Sequence, residues 1–234
     1  MNGLFSIPDH FWVSLTQIIG IDMVLSGDNA VVIALAANSL PPRQQRMAVV
    51  WGAGAAVGMR VILATLAVAL LSLPYLKLVG AALLLWIGVK LMLPEDDSKD
   101  VQSSENLIAA IKTIMLADAV MSLDNVVAVA AAAKGSVLLL ALGLGISIPI
   151  VIFGSTILLK LMERFPVVIT LGAALLGYVA GEMAVSDPAI SQWIESHLPS
   201  LHRIVAVAGA LAVVVAGRFL ARRKAAEEPL PDEV

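Results

Sequence analysis

Seven stretches of mostly apolar residues, each close to 20 residues long, run through the sequence and restrict its fold more than any other feature. A helix needs about 20 such residues to cross the ~30 Å hydrocarbon core of a bilayer. The stretches lie near residues 12–38, 44–71, 75–93, 106–133, 137–161, 166–185 and 201–220. Short segments with Pro, Ser and charged residues separate them. The sequence therefore predicts an all-α polytopic membrane protein with seven transmembrane helices.

Composition excludes several other classes of protein. Hydrophobic residues make up 59% of the chain and charged residues 14%, and the mean hydropathy is +0.93, which is too apolar for a soluble domain. The absence of cysteine excludes disulfides, thiolate metal sites and cysteine nucleophiles. A net charge of -3 gives no reason to expect nucleic-acid binding. The first residues lack a basic signal-peptide region, so we expect the first apolar stretch to be retained as a span.

The sequence also repeats itself. The motif "DMVLSGDN" at 22–29 matches "DAVMSLDN" at 118–125 at five of eight positions. Further along, "GAALLLWIGVK" at 80–90 corresponds to "GAALLGYVAGE" at 172–182. We interpret the chain as two related three-helix units. Because each unit has an odd number of spans, the second should cross the membrane in the opposite sense, an inverted repeat that in transporters places the substrate site at the midplane.

Basic residues predict the orientation, since short cytoplasmic loops are enriched in Lys and Arg. With seven alternating spans, most of them fall on the side that also holds the C-terminal end, so the N-terminus is expected outside and the C-terminus in the cytoplasm. The predicted divisions are a first repeat at 1–93, an acidic cytoplasmic linker at 94–105, an inverted second repeat at 106–186, an outer loop with the seventh helix at 187–220, and a cytoplasmic tail at 221–234.

Each copy of the motif places two aspartates and an asparagine near the middle of an apolar span. An ionised Asp at a helix centre costs roughly 2.5–3.5 kcal/mol, so four of them indicate a function. Carboxylate and carboxamide oxygens suit Mn²⁺, Ca²⁺ or Mg²⁺ better than Cu or Zn. The expected metal ligands are Asp22, Asp28, Asn29, Asp118, Asp124 and Asn125. Accessory candidates are Ser26, Ser122, Met23, Met121, Arg60 and Glu182, and a methionine thioether would favour Mn²⁺.

Helix geometry sets a condition on this site. On a regular helix Asp22 and Asn29 share one face, whereas Asp28 lies roughly 120° away. The two carboxylates converge only if the helix is interrupted, which Gly27 would permit and Leu123 in the second copy would favour less. In an alternative interpretation the aspartates are neutral or pair with Arg60, and they merely hold helices together. That alternative explains neither the repeated asparagine nor the excess of four acids over one arginine.

The doubled "D-x-V-x-S-x-D-N" motif in a three-plus-three arrangement resembles the TerC family of integral membrane proteins, most closely its short YjbE-type branch without appended soluble domains. The resemblance covers about residues 11–220. It implies a protein of the bacterial inner membrane that takes part in manganese homeostasis by efflux and, in some members, in tellurite resistance. It also implies that the acidic motif positions are functional, and this chain shows no departure at any of the six.

The sequence thus predicts a secondary transporter rather than an enzyme, exporting a divalent cation, Mn²⁺ first, in exchange for protons. No ATP-binding motif and no cofactor are expected, and homo-oligomer formation is left open. One rival function is an intramembrane aspartyl protease, in which Asp28 and Asp124 would share a proton, although the usual Gly-x-Gly-Asp motif is lacking. The other is a non-transporting scaffold that recruits stress-response partners through the acidic linker and the basic tail.

Overall fold

The apolar stretches fold into helices in the computed structural model, which describes residues 11–66, 73–93, 104–133, 136–197 and 201–227. No strand occurs within those ranges. The helices are α1 (Phe11–Leu25), α2 (Gly27–Ala37), α3 (Pro42–Thr65), α4 (Leu76–Lys90), α5 (Ser104–Ala133), α6 (Val137–Arg164), α7 (Val167–Val185), α8 (Ser191–His197) and α9 (Leu201–Glu227). Most of the predicted acidic linker and the end of the predicted tail lie outside the described residues.

Five of the described helices are long and apolar enough to cross a membrane: α3, α5, α6, α7 and α9. Helices α1 and α2 meet at a 53° bend and count as a sixth span if the pair crosses as one. The structure thus supports an all-helical, multi-pass fold with five or six spans. The third predicted span, at 75–93, contains α4, whose 15 residues extend only about 22 Å, so a count of seven stays a prediction.

Helix packing agrees with the exchange expected for two related three-helix units. The bent pair α1 and α2 packs against α6, and α5 packs against α3. Suppose the first span (α1 and α2) is exchanged with the fourth (α5), and the second span (α3) with the fifth (α6). The contact of α1 and α2 with α6 then becomes the contact of α5 with α3, and the reverse. Helix α4 packs against α7, a contact that the same exchange leaves unchanged, and α9 packs along α7.

Two glycines show the same correspondence at the level of side chains. A Cβ on Gly52 would lie less than 3.0 Å from Ile114, and one on Gly143 less than 3.0 Å from Ile18. Both isoleucines are fully buried, and each precedes the first aspartate of its motif by four residues. The motif-bearing helix of each unit therefore packs against a glycine in the second helix of the other unit.

A buried carboxylate outside the spans joins α4 to the end of α7. Asp187 has no exposed surface and accepts backbone N–H groups from Tyr75 at 2.9 Å, Lys77 at 3.0 Å, Leu78 at 3.2 Å and Ala189 at 2.8 Å. Three of these donors belong to the start of α4, where backbone N–H groups have no partner within the helix. Burial alone would raise the pKa of Asp187, but the four N–H donors outweigh it and lower the pKa below its usual value.

Candidate ion-binding site

The first motif is interrupted between α1 and α2, which is the condition that the sequence set for its two carboxylates to converge. The departure from helical geometry falls on Ser26, with φ −102° and ψ 5°, and α2 then begins at Gly27. The Asp28 carboxylate accepts the Asn29 N–H at 2.9 Å in the first turn of α2, where an acidic side chain is favoured. The second motif is different, because residues 118–125 lie within the continuous helix α5.

The first aspartate of each motif meets at a single arginine. Arg60, on α3, is 4% exposed; Nη1 donates to Asp22 Oδ1 and Nη2 donates to Asp118 Oδ1. Asp22 is 2% and Asp118 is 5% exposed. The pairing with Arg60 that the alternative interpretation expected is therefore present for these two aspartates. Sequence reasoning underestimated it because it counted four acids against one arginine, whereas the fold brings this arginine to two of them.

Serine hydroxyls complete the hydrogen bonding around the guanidinium. Arg60 Nη1 donates to Ser26 Oγ at 3.0 Å, and Arg60 Nε donates to Ser122 Oγ at 3.0 Å. Each serine in turn donates to the aspartate four residues before it, Ser26 to Asp22 at 3.0 Å and Ser122 to Asp118 at 3.3 Å. The accessory role expected of both serines thus corresponds to direct contacts with the buried charges.

Ser147 is a site residue that sequence reasoning missed. Its hydroxyl donates to Asp22 Oδ2 from the middle of α6 and is 1% exposed. The signal was present in the sequence, since Ser147 ends the small-residue stretch "GLGIS", which by itself indicates only close helix packing. Serine in a packing stretch often bonds within its own helix, so the motif alone does not indicate a role in the site.

A small cavity lies beside this network. It has room for roughly one water molecule. The polar lining residues are Asp22, Ser26, Asn29, Arg60, Asp118 and Ser147, and the apolar ones are Ile33, Ala53, Ala56, Val57, Ile148 and Val151. They come from α1, α2, α3, α5 and α6, so both units contribute to the cavity.

Asn29 differs from the other polar lining residues. It is 2% exposed, and neither its Oδ1 nor its Nδ2 has a hydrogen-bond partner. A buried amide that forms no hydrogen bond costs on the order of 1–3 kcal/mol per unsatisfied group. Asn29 therefore presents an unused donor and an unused acceptor at the cavity.

Several other predicted residues do not line the cavity. Asp28 is partly buried at the start of α2, and Asn125 is partly buried and has an interaction partner of its own. Met121 is buried in the core, but Met23 is 48% exposed and Glu182 is exposed, so these two candidates face away from the site. The Asp124 side chain lies outside the described part of the structure. Among the described residues, no group of three or more His, Asp and Glu side chains converges.

Comparison with known proteins places this arrangement in a family. The profile described as "Integral membrane protein TerC family" matches residues 7–225. This chain belongs to the TerC family. The resemblance noted from the doubled motif is therefore confirmed, and so is the conclusion that the chain is an integral membrane protein.

Two relatives in Bacillus subtilis (strain 168) carry names without a function. The "Uncharacterized membrane protein YjbE" is 44% identical over 187 residues, which is 80% of this TerC-family chain and 86% of the relative. The "Uncharacterized membrane protein YceF" is 24% identical over 185 residues, covering 75% of this chain and 72% of the relative. No solved structure matches the chain.

Proposed function

We propose that this TerC-family protein is a secondary transporter that exports a divalent cation, Mn²⁺ first, from the bacterial cytoplasm. Membership of the family fits a membrane ion transporter in general. The observation that carries the proposal is the buried cavity, lined by Asp22 and Asp118 from equivalent places in the two units and by the unpartnered amide of Asn29.

The charges and oxygens around the cavity favour a cation as the transported species. Two carboxylates and one guanidinium leave one net negative charge in a space shielded from water, where charge interactions are strong. Carboxylate, hydroxyl and amide oxygens are the donors that Mn²⁺, Mg²⁺ and Ca²⁺ accept. Mn²⁺ ranks first by the family resemblance, and no methionine lines the cavity to support it further.

The packing of the helices supports a midplane site between inverted repeats. Ile18 against Gly143 and Ile114 against Gly52 are equivalent contacts, which two oppositely oriented units related by a two-fold axis would produce. In this proposal the N-terminus lies outside and the C-terminus in the cytoplasm. A reporter fused after Arg46 should then be cytoplasmic and one fused after Lys134 external. Finding both on the same side would remove the inverted repeat.

Transport is tested in everted membrane vesicles from a bacterial host that lacks its own manganese exporter. Vesicles with this protein should accumulate Mn²⁺, and an imposed pH gradient should change the rate if protons are exchanged. A rate unaffected by the gradient would count against proton exchange while leaving export intact. No accumulation of Mn²⁺, Mg²⁺ or Ca²⁺ would contradict the transport proposal and favour the scaffold.

The pairing with Arg60 weighs against the protease alternative. A catalytic aspartyl dyad requires two carboxyl groups close enough to share one proton. Asp22 and Asp118, the two buried carboxylates that the structure brings together, are instead each hydrogen-bonded to a different nitrogen of one guanidinium. Asp28, which the protease alternative pairs with Asp124, does not line the cavity. We therefore propose a transporter and not an enzyme.

A further inference from the structure

Arg60 occupies the carboxylates that a transported ion would need. Three nitrogens of its guanidinium donate to four side chains, two from the first motif and two from the second. The cavity that remains beside it has room for about one water molecule, so a hydrated divalent ion does not fit while the arginine stays. A divalent ion placed on the same two carboxylate oxygens would also be repelled by the guanidinium at short range.

We propose that Arg60 is a tethered cation that fills the ion site of the empty transporter and must leave when the metal ion enters. This inference rests on the proposed function. In the empty state the guanidinium offsets part of the buried negative charge of Asp22 and Asp118. When a divalent ion replaces it, the two carboxylates are neutralised in full.

Asn29 provides an independent observation for this exchange. Arg60 forms hydrogen bonds with both serines and both aspartates but leaves the Asn29 amide without a partner. The cavity therefore has a polar lining residue, Asn29, to which the arginine forms no hydrogen bond. A metal ion that took the place of the guanidinium would find the Asn29 Oδ1 as an additional neutral oxygen ligand.

The proposal has a kinetic consequence that an ordinary structural ion pair lacks. Net export requires the empty protein to return across its transport cycle, and Arg60 supplies the positive charge for that return. Exchange of one Mn²⁺ for another needs only the loaded form to move in both directions. Removing Arg60 should therefore suppress net export far more than exchange.

The test compares Arg60→Gln with the wild type in vesicles, using radioactive manganese for both net uptake and exchange. We expect net transport to fall at least about tenfold, which is within the range of ordinary couplings between binding and conformation. Exchange should stay within about threefold of wild type. If the guanidinium fills the site in about nine of ten empty molecules, its removal also tightens the apparent affinity for Mn²⁺ about tenfold. Arg43→Gln, which removes an exposed arginine from the same helix, should change neither measurement.

Each outcome decides between the two proposals. Equal loss of net transport and exchange in Arg60→Gln at normal membrane levels would overturn the tethered cation and leave the transport function standing. Absence of both activities in the wild type would overturn the transport function and the tethered cation with it. If Arg60→Gln does not reach the membrane, Arg60→Lys is measured in the same way. Lysine keeps the charge but lacks the fork that reaches both carboxylates, so its ratio of exchange to net transport should lie above wild type, and an unchanged ratio would overturn the proposal.

Discussion

The two copies of the acidic motif share five of eight residues, yet their backbones differ. In the first copy the helix stops at Leu25 and resumes at Gly27, whereas the second copy lies within the continuous helix α5. Both nevertheless bring an aspartate and a serine to Arg60. In each copy the aspartate and the serine are four residues apart and so lie on one helix face. In the first copy Asp22 precedes the break and Ser26 forms it, so the break does not separate them.

The break instead changes the surroundings of the asparagine on its C-terminal side. Asn29 comes after the interruption and lines the cavity without a hydrogen-bond partner. Asn125, its counterpart on an unbroken helix, is partly buried, has an interaction partner and is absent from the lining. The paired aspartates therefore form the symmetric part of the site, while the broken helix adds an asymmetric ligand.

The largest effect should come from the symmetric part. Asp22→Asn and Asp118→Asn should each reduce Mn²⁺ export to near background, because each removes a charge that offsets stripping the ion of water. Breaking a buried ion pair by removing one partner typically costs about 3–5 kcal/mol, so membrane levels must be measured as well. Export is measured as survival and cell-associated manganese during manganese excess.

The matched controls are Asp96→Ala and Asp97→Ala in the predicted linker, which lie outside the described residues and should retain export. Asp28→Asn should be milder than Asp22→Asn, because Asp28 contacts the first turn of α2 and not the cavity. Loss of export in only one of Asp22→Asn and Asp118→Asn would break the equivalence of the two motifs.

The asparagines should differ by a smaller amount. Asn29→Ala should raise the half-saturating Mn²⁺ concentration about fivefold to tenfold, equivalent to about 1–1.4 kcal/mol of lost binding, whereas Asn125→Ala should change it less than about twofold. The reason is that, of the two, only Asn29 lines the cavity. Transport rate against Mn²⁺ concentration in vesicles measures both. A larger effect at Asn125 would mean that the asparagine of the unbroken helix α5 is the additional ligand.

Helix packing should respond in both units, and more strongly at Gly143, where an added Cβ meets Ile18 Cγ2 and Cβ, than at Gly52, where only the flexible end of Ile114 lies within 3.0 Å. Gly52→Ala and Gly143→Ala each bring a Cβ within 3.0 Å of a buried isoleucine, an overpacking that typically costs about 1–3 kcal/mol. Gly54→Ala and Gly145→Ala, two residues further along, meet nothing within 4 Å and serve as controls. Thermal unfolding in detergent should show a lower Tm for the first pair only. A drop in one unit without the other would contradict their equivalence.

Asp187 offers a buried carboxylate satisfied by backbone N–H groups instead of by a cation. Because its pKa is lowered on folding, its stabilising contribution is present above the usual pKa of about 3.9 and is lost as the pH falls through the lowered value. Asp187→Asn should lower the Tm modestly at neutral pH and weaken its fall on acidification. Mn²⁺ affinity should not change, since none of the partners of Asp187 lines the cavity. A Tm that depends on pH as steeply in the variant as in the wild type would show that other groups dominate.

The smallest effect is expected at the residue that the sequence singled out for the break. Gly27→Ala should alter export less than about twofold, because the departure lies at Ser26 and a Cβ on Gly27 would meet nothing within 4 Å. Alanine favours a helix over glycine by only about 1 kcal/mol. Loss of export in Gly27→Ala at normal membrane levels would mean that the glycine itself controls the interruption.

The helical class, the multi-pass membrane character and the family could be predicted from the sequence. These features depend on apolar run length, composition and the doubled motif, which are properties of the chain read in order. The equivalence of the motifs was also visible in the sequence, and the contacts of Ile18 and Ile114 agree with it. The prediction of seven spans went further than the five or six that the helices support.

Which side chains meet could not be predicted in this way, because it depends on how the helices pack. Arg60 and Asp118 are 58 residues apart, and their contact depends on the rotation of α3 and α5 about their axes, which packing fixes and residue spacing does not. The orientation of α1 likewise turns Met23 outward, and the bend at Ser26 leaves Asn29 buried without a partner. A motif predicts which residues lie near the bilayer midplane. Whether they face a cation, a cavity or lipid depends on helices that the motif does not contain.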